Sequence, residues 1–336
     1  MIISRTPMRI SFFGGGSDYP VWFKEHKGAV LSTTIDKYTY ISARYLPPFF
    51  EHKYRVVWSQ IENVNNISDI YHPAVRECLR FLNISDGVAV NHDGDLPAAS
   101  GMGTSSTFTV GLLNALHHLK GDTVDNLMLG REAIYVEQQL IKNAVGNQDQ
   151  LAAAIGGLNI FEFWETETCP PEDGPCGFQM RKLEILPERK RELESWLMLI
   201  FTGKSRNAGE IAQTYQFDKG IMRRMYQMVF EAESCLYIGT MKRFGNLLHE
   251  GWELKKRLSP AISSSYTNYL YEKAREAGAI GGKLLGAGGG GFLLLCCDPE
   301  KQDRVKMTFP DMIFVSVKCE ERGTHILING GTNAEV

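Results

Sequence analysis

The chain has 336 residues, of which 43% are hydrophobic and 22% are charged, which is typical of a globular protein long enough for two domains. Its 36 Lys and Arg residues against 39 Asp and Glu residues give a net charge of −3, so the overall charge does not indicate binding to nucleic acid or to an anionic membrane. No apolar run approaches the roughly 20 residues of a spanning helix, and Met1–Phe12 lacks the apolar core of a signal peptide.

The seven cysteines are an odd number without any C-x-x-C spacing, and this favours a reducing, cytoplasmic location. Cys296 and Cys297 are adjacent in an apolar run, so we expect buried free thiols there. Cys169 and Cys176 flank a loop rich in proline and glycine, where a disulfide is the less favoured alternative.

The N-terminal residues Ile2 to Phe13 are rich in β-formers and predict a strand that ends in the glycine turn GGGSDYP. Arg9 comes just before this turn, and arginine can bind phosphate or lower the pKa of a nearby hydroxyl. Asp18 could accept hydrogen bonds from sugar hydroxyls, or it could simply cap a tight turn. Lys27 to Tyr45 then predicts two strands.

Between these strands and the next glycine loop, His72 to Leu82 is helical by pattern and Val88 to His92 predicts a short strand. Trp58 has two interpretations: it stacks on a nucleotide base, or it packs as a half-buried strand residue.

The segment from Leu96 to Phe108, LPAASGMGTSSTF, predicts a glycine loop that ends at a helix N-terminus. Free N–H groups and the helix dipole favour an anion there, and the hydroxyls of Thr104, Ser105 and Ser106 can bind phosphate or Mg²⁺. A Ser/Thr-capped helix after an ordinary turn is the alternative. The loop is neither a Walker motif, because no lysine follows Gly103, nor a dinucleotide fingerprint, which needs glycine in place of Ser106.

Two carboxylates follow this loop. Asp125 to Ile141 predicts a helix with Glu137 on its apolar stripe, where a carboxylate is costly unless it is paired, metal-bound or at the edge of the stripe. We therefore weigh a Mg²⁺ ligand against a partly exposed acid. Asp149 opens the next helix, where it could act on a substrate or only complement the helix dipole.

In the second half, a charged stretch predicts a domain boundary near Arg189, followed by a strand over Trp196 to Phe201. Lys204 and Arg206 come next, either as ligands of a substrate phosphate or as solvated loop cations. Helices are predicted over Lys219–Ile238, Met241–Leu254 and Ser263–Ala277, then a glycine loop before a buried strand, and finally a hairpin of Ile313–Cys319 with Thr324–Ile328.

Three motifs in this order resemble those of the GHMP kinases, the family of galactokinase, homoserine kinase, mevalonate kinase and phosphomevalonate kinase. The first is matched by Pro7, Arg9, Gly14 and Asp18, the second by Pro97 to Ser105, and the third by Lys283 with Gly286 to Gly291. Gly15 and Gly16 replace the Glu-His pair of the first motif, as in the branch that acts on heptose phosphates, and fucokinases carry a related motif.

The resemblance implies an α+β, two-domain fold. Residues 1–188 would form a ribosomal-protein-S5-like, ATP-binding domain, and residues 189–336 a ferredoxin-like domain with extra helices. ATP and Mg²⁺ would be the cofactors. The reaction would be phosphorylation of an anomeric hydroxyl, from D-glycero-D-manno-heptose 7-phosphate to the 1,7-bisphosphate, in the synthesis of nucleotide-activated heptose. A fucokinase-like or other sugar 1-kinase, and a nucleotide- or sugar-binding regulator on a kinase fold, are the alternatives.

The resemblance also implies the site residues. Asp149 and Arg9 would be catalytic, while Ser105 and Glu137 would bind the metal. The triphosphate would lie on the loop made of Pro97, Ala98, Ala99, Ser100, Gly101, Met102, Gly103, Thr104, Ser105 and Ser106. Substrate contacts would come from Gly16, Ser17, Asp18, Lys204, Arg206, Gly288 and Gly289. The expected partner is a small-molecule sugar phosphate, with no nucleic acid and no membrane; the sequence leaves the oligomeric state open.

Overall fold

A computed structural model describes residues 1–165, 177–203 and 208–330. Its strands form two sheets, and the larger has the order β12-β1-β2-β5-β3-β4, with β6 pairing with both β2 and β7. The smaller sheet has the order β11-β8-β10-β9. The strands are β1 (Ile2–Phe13), β2 (Gly28–Tyr45), β3 (Tyr54–Val57), β4 (Ile61–Val64), β5 (Val88–Gly94), β6 (Leu158–Phe163), β7 (Phe178–Lys182), β8 (Leu197–Phe201), β9 (Ala279–Leu284), β10 (Phe292–Cys297), β11 (Phe314–Val315) and β12 (His325–Asn329).

Helices pack on both sheets. They are α1 (Pro20–Phe23), α2 (Pro73–Phe81), α3 (Thr104–Lys120), α4 (Asn126–Tyr135), α5 (Gln148–Ile155), α6 (Pro187–Trp196), α7 (Ala208–Ala212), α8 (Lys219–Ile238), α9 (Met241–Lys256), α10 (Ser265–Ala277) and α11 (Gln302–Thr308). The helix predicted directly after the central glycine loop is confirmed as α3. The three helices predicted in the second half are confirmed as α8, α9 and α10, with ends within about two residues.

The central helix α3 is buried along most of its length and packs on β1 and β2. Gly111 permits this approach, since a Cβ there would stand 2.7 Å from the Thr6 hydroxyl oxygen on β1. The close packing fixes the first turn of α3 beside the middle of β1, where Arg9 lies.

A shared core joins the two sheets. The ring of Phe244 on α9 packs edge-on against Phe12 and Phe13 at the end of β1, with ring centroids 5.4 and 5.2 Å apart. Phe292 of the second sheet is buried in the same cluster. The glycine loops at the ends of β1 and β9 are thereby held close to each other.

Three sequence predictions of secondary structure were wrong. Lys27 to Tyr45 forms one strand, β2, because its first half pairs with β6 and its second half with β5 while both remain against β1. The predicted C-terminal hairpin does not form, since β11 pairs with β8 and β12 crosses to pair with β1. The single helix over Asp125–Ile141 is instead α4 followed by a π-helical turn, Val136–Leu140.

The predicted domain boundary falls on α6. This helix follows β7 of the larger sheet and precedes β8 of the smaller sheet. Arg189 on this helix donates to the carbonyl oxygens of Leu236 and Gly239, at 3.0 and 2.7 Å, and so ties the connection to the end of α8. Among the described residues, no helix is both long enough and apolar enough to span a membrane.

Candidate active site

A cleft of about 790 Å³ opens where the three glycine loops meet. Its walls come from β1 and the turn after it, the first turn of α3, the start of α5, the end of α9 and the loop between β9 and β10. The cleft therefore collects residues from nearly the whole length of the chain, including most of the residues that the sequence singled out.

The central loop presents bare backbone to this cleft. Gly101 and Gly103 have φ angles of +81° and +73°, a conformation that side chains disfavour, and Gly103 directly precedes α3 without any side-chain cap. The N–H groups of the first turn of this 17-residue helix consequently face the cleft without a capping group. Of the predicted phosphate-loop residues, those that line the cleft are Ala98, Ala99, Gly101, Gly103, Thr104, Ser105 and Ser106; Pro97, Ser100 and Met102 do not.

The third glycine loop packs against the central one. A Cβ on Gly286 would lie 2.6 Å from the Gly101 Cα, and one on Gly291 would lie 2.1 Å from the Ser100 carbonyl oxygen. Gly288 and Gly289 are buried against Ile262 and do not line the cleft, whereas Gly286 and Ala287 do. The bare backbone of this loop thus serves mainly to let two loops touch.

Arg9 and Asp149 form a two-pronged ion pair next to the central loop. The Arg9 Nε and Nη2 donate to the two carboxylate oxygens of Asp149, each at 2.7 Å, and Nη1 donates to the Gly101 carbonyl oxygen at 2.7 Å. Arg9 is 3% exposed, but Asp149 keeps 25% of its side chain accessible, toward the cleft. The guanidinium therefore fixes the direction of a reachable carboxylate relative to the phosphate loop.

The first glycine turn supplies a second acid. Asp18 is buried and accepts from the backbone N–H groups of Gly16, at 2.9 Å, and Gln148, at 3.4 Å. Burial and the nearby charge of Asp149 raise the pKa of Asp18 to about 6. Gly146 must lack a side chain, because a Cβ there would overlap the Asp18 carboxylate at 1.9 Å. Gly16 also lines the cleft, whereas Ser17 is buried and hydrogen-bonded to Gly14 and Ala29.

Glu137 lies in the π-helical turn and is 1% exposed. One carboxylate oxygen, Oε2, accepts from the Ser106 hydroxyl at 2.9 Å and from the Gln150 amide at 2.5 Å, while Oε1 is buried without a partner among the described groups. Burial raises the pKa of Glu137 to about 7. Ser106, which the sequence put next to the metal ligand, is thus the hydroxyl that contacts Glu137, and Ser105 is exposed on the cleft side.

The aromatic rings of Trp58, His72 and Phe108 line another part of the cleft. The imidazole of His72 stacks on Phe108 and meets Trp58 edge-on, with ring centroids 4.6 and 4.9 Å apart. Burial lowers the pKa of His72 to about 4, so this group is neutral near pH 7. Trp58 lies one residue beyond β3 and is half-buried, which leaves one part of its ring toward the cleft.

Sequence reasoning missed Lys255 and Tyr215, which both line the cleft. Lys255 lies in the last turn of α9, and its ammonium donates to the Gly286 carbonyl oxygen. The Tyr215 hydroxyl donates to the Ala287 carbonyl oxygen at 2.6 Å. A lysine in the last turn of a helix ordinarily complements the helix dipole, so no sequence signal distinguished Lys255.

Two further predicted residues, Lys204 and Arg206, lie outside the described residues, as do Cys169 and Cys176. The cysteines that the structure does describe, Cys78, Cys235, Cys296, Cys297 and Cys319, are all free, and the prediction for the adjacent pair is confirmed.

Comparison with known proteins gives two matches to family descriptions. Residues 69–157 match "GHMP kinases N terminal domain" and residues 232–310 match "GHMP kinases C terminal". These two segments together make up half of the chain and include the central loop, Glu137, Asp149, Lys255 and the third glycine loop.

Individual relatives are distant but extend over most of the chain. The D-glycero-alpha-D-manno-heptose 7-phosphate kinase of Campylobacter jejuni is 25% identical, with 90% of this chain and 91% of the relative aligned. The bifunctional fucokinase/GDP-fucose pyrophosphorylase of Arabidopsis thaliana is 26% identical over 93% of this chain and 31% of its own length. The structure of a D-glycero-D-manno-heptose 1-phosphate kinase from Bacteroides thetaiotaomicron has a TM-score of 0.78 at 23% identity, covering 98% of this chain and 99% of that one.

Proposed function

The chain belongs to the GHMP kinase family, whose sugar kinases transfer phosphate from ATP to an alcohol group, and we propose that it phosphorylates the anomeric hydroxyl of a heptose phosphate. The most specific form of the proposal is conversion of D-glycero-D-manno-heptose 7-phosphate to the 1,7-bisphosphate in a cytoplasmic route to nucleotide-activated heptose. A single observation carries the kinase mechanism: the Arg9–Asp149 pair stands beside the open N-terminus of α3 in one cleft.

Asp149 is proposed to orient the acceptor hydroxyl and to accept its proton. Each Asp149 oxygen takes one hydrogen bond from Arg9 and retains a further lone pair for the hydroxyl. The hydroxyl oxygen forms a bond to the γ-phosphorus, the bond from that phosphorus to the ADP oxygen breaks, and the proton ends on the Asp149 carboxylate. The backbone N–H groups at Gly103–Ser106 and the guanidinium of Arg9 stabilise the charge on the transferred group, since positioning and charge neutralisation dominate phosphoryl transfer.

The donor set around Glu137 fits Mg²⁺. Its Oε1 is buried without a hydrogen bond among the described groups, and its Oε2 accepts from the Ser106 hydroxyl on the first turn of α3. Mg²⁺ in kinases needs only one or two protein oxygens together with phosphates and waters. No group of three or more His, Cys, Asp or Glu residues suited to a metal occurs in the described part of the chain. We propose that Glu137 and Ser105 hold the ion, which would neutralise the triphosphate, and that Ser106 and Gln150 orient Glu137.

The base of the nucleotide is proposed to lie at the aromatic end of the cleft, against Trp58 and the neutral ring of His72. Base–aromatic stacking contributes roughly 1–3 kcal/mol per base. This placement leaves the region around Asp18 and Gly16 for the sugar.

The substrate is proposed from the names of two of these relatives, which agree on heptose but differ on where the phosphate already is, at carbon 7 or at carbon 1. The test is a steady-state assay of ADP release with heptose 7-phosphate, heptose 1-phosphate, free heptose and fucose. We expect the largest kcat/KM with heptose 7-phosphate. A preference for free fucose would replace the proposal with the fucokinase-like alternative, and turnover of none of these sugars would remove it.

A further inference from the structure

Two buried lysines from the second half of the chain line the cleft. Lys255, at the end of α9, is 4% exposed and Lys283, on β9, is 6% exposed. Their described hydrogen bonds go to backbone carbonyl oxygens, from Lys255 to Gly286 and from Lys283 to Phe12 at 3.0 Å. An ammonium group has three donors, so each lysine retains hydrogen-bonding capacity beyond that single bond.

Neither ammonium forms a salt bridge with a carboxylate in residues 1–165, 177–203 or 208–330. The two acids of the site are engaged elsewhere, because Asp149 accepts from Arg9 and Asp18 accepts from backbone N–H groups. Burial and the charge of Arg9 lower the pKa of Lys255 to about 8, and burial and the charge of Lys255 lower the pKa of Lys283 well below its usual value. Asp18 and Asp149 offset these charges only in part, because Arg9, Lys255 and Lys283 are three cations against two carboxylates. Buried cations are costly unless they are paired, and an anion on the ligand would relieve the remaining cost.

The residues around Lys255 connect it to the part of the cleft proposed for the sugar, and not to the aromatic part proposed for the nucleotide base. Its hydrogen-bond acceptor, Gly286, is followed by Ala287, whose carbonyl oxygen accepts from the Tyr215 hydroxyl. The ring of Tyr215 lies beside Gly16, where an added Cβ would be 3.9 Å from Tyr215 Cε2. Gly16 is in turn bonded to Asp18, so Gly286 and Tyr215 connect Lys255 to the part of the cleft that contains Asp18.

We propose that Lys255, with Lys283 behind it, binds a phosphate that the acceptor sugar already carries, at a site separate from the triphosphate site on α3. This inference rests on the proposed function, since it assumes that the acceptor binds beside Asp149. In this proposal, residues on α9 and β9 recognise the phosphate that the sugar already carries, in addition to any part played by Lys204 and Arg206.

The test compares Lys255→Met, which keeps the apolar stem, with Lys255→Arg, which keeps the charge. Lys256→Met is the matched control, because Lys256 is the next residue on the same helix and pairs with Glu253 at 2.8 Å. We expect Lys255→Met to raise KM for the sugar phosphate about ten- to a hundred-fold, as expected for loss of a charge-assisted contact, with kcat and the KM for the free sugar little changed. Lys255→Arg should restore part of the preference, and Lys256→Met should behave as wild type.

Equal losses on both sugars would overturn the proposal and assign Lys255 to the transferred phosphoryl group instead; no loss would overturn it as well. A readout without turnover separates this inference from the kinase assignment: calorimetric titration with mannose 6-phosphate and with mannose. Wild type should bind the phosphate ester more tightly, and Lys255→Met should not discriminate, even if no sugar on the panel is phosphorylated.

A second readout needs no variant and so does not depend on folding of Lys255→Met. The ratio of affinities for mannose 6-phosphate and mannose should fall as pH rises through about 8, where Lys255 loses its proton. The other charged groups that face Lys255 are Arg9, Lys283, Asp18 and Asp149, and taking the ratio of the two sugars cancels effects common to both. A ratio that is constant from pH 7 to pH 9 would contradict the proposal.

Discussion

The central and third glycine loops meet beside the cleft, and their glycines have different roles. One loop exposes its backbone to the site, and the other packs its backbone against a neighbouring loop. At Gly103 the atoms nearest to an added Cβ would be side-chain atoms of Arg9 and Asp149, at 3.4 Å, so this position is open toward the site. At Gly291 it would find the Ser100 backbone at 2.1 Å, so this position is closed by packing. The same residue type therefore predicts a ligand-facing surface in one loop and a loop-to-loop contact in the other.

This difference indicates that the third loop supports the central loop. The central loop needs positive φ angles at Gly101 and Gly103 to expose the N-terminus of α3, and the third loop presses on Gly101 and Ser100 to keep it there. Changes at the central loop should consequently affect catalysis more than stability, and changes at the third loop should do the reverse.

The largest effect is expected at the carboxylate held beside the central loop. A general base contributes roughly 10²–10⁴-fold to a rate, so Asp149→Asn should lower kcat by about that factor while ATP affinity changes little. Asp122→Asn is the control, because Asp122 is a carboxylate that pairs with Lys120 at the far end of α3. Steady-state kinetics and nucleotide titration measure both quantities, and a near-normal kcat would contradict the assignment.

At the third loop, Gly291→Ala should destabilise the fold by roughly 2–5 kcal/mol, from the strain of a φ of +102° and a backbone clash. Gly121→Ala provides the control, since Gly121 has a φ of +86° with nothing within 4 Å and should lose only roughly 1–2 kcal/mol. Urea unfolding of the two variants separates clash from strain. Equal losses would show that the two loops are not closely packed.

Glu137 adds a pH test behind the central loop. Glu137 keeps its proton up to about pH 7 in the folded state but only up to about pH 4.5 in the unfolded state. The free energy of unfolding of the ligand-free protein should therefore fall as pH rises between these values. The expected difference between wild type and Glu137→Gln across that range is roughly 3 kcal/mol. Asp18 titrates similarly in both proteins and cancels from the comparison.

The same variant should need more Mg²⁺ for half-maximal rate, because it lacks the anionic oxygen. Parallel stability profiles from pH 4 to pH 8 would argue against a buried, uncompensated Glu137. An unchanged Mg²⁺ titration would argue against its role as a ligand.

The smallest effect is expected from Gly103→Ala. The strain of its φ angle costs roughly 1–2 kcal/mol, as at Gly121 on the opposite end of the same helix. Unlike Gly121→Ala, it should also lower kcat/KM about tenfold, because the methyl group contacts Arg9 and Asp149. If both alanine variants have the same kinetics, the central loop does not approach its ligand at Gly103.

Sequence patterns predicted the central loop and its helix because glycine, hydroxyl and apolar residues follow one another locally. They also selected Arg9 and Asp149, although the pairing of residues 140 positions apart is visible only in the fold. Spacing assigned Ser105 to the metal, and this stays a prediction; the hydrogen bond from Ser106 to Glu137 could not be predicted, since the π-helical turn determines which hydroxyl Glu137 reaches.

The wrong predictions also have long-range causes. The last strand pairs with β1, more than 300 residues away in the chain, so local alternation suggested a hairpin that the fold does not contain. Lys255 gave no signal because its role depends on a carbonyl oxygen of the third glycine loop, 31 positions later.

The most direct test of the proposed reaction is the position of the new phosphate ester, determined by ³¹P and ¹H NMR after incubation with ATP, Mg²⁺ and D-glycero-D-manno-heptose 7-phosphate. We expect a second ester phosphorus that couples to the anomeric proton, with the original 7-phosphate signal retained, and we expect Asp149→Asn to form this product about 10²–10⁴-fold more slowly. A new ester at another carbon, or release of inorganic phosphate alone, would contradict it.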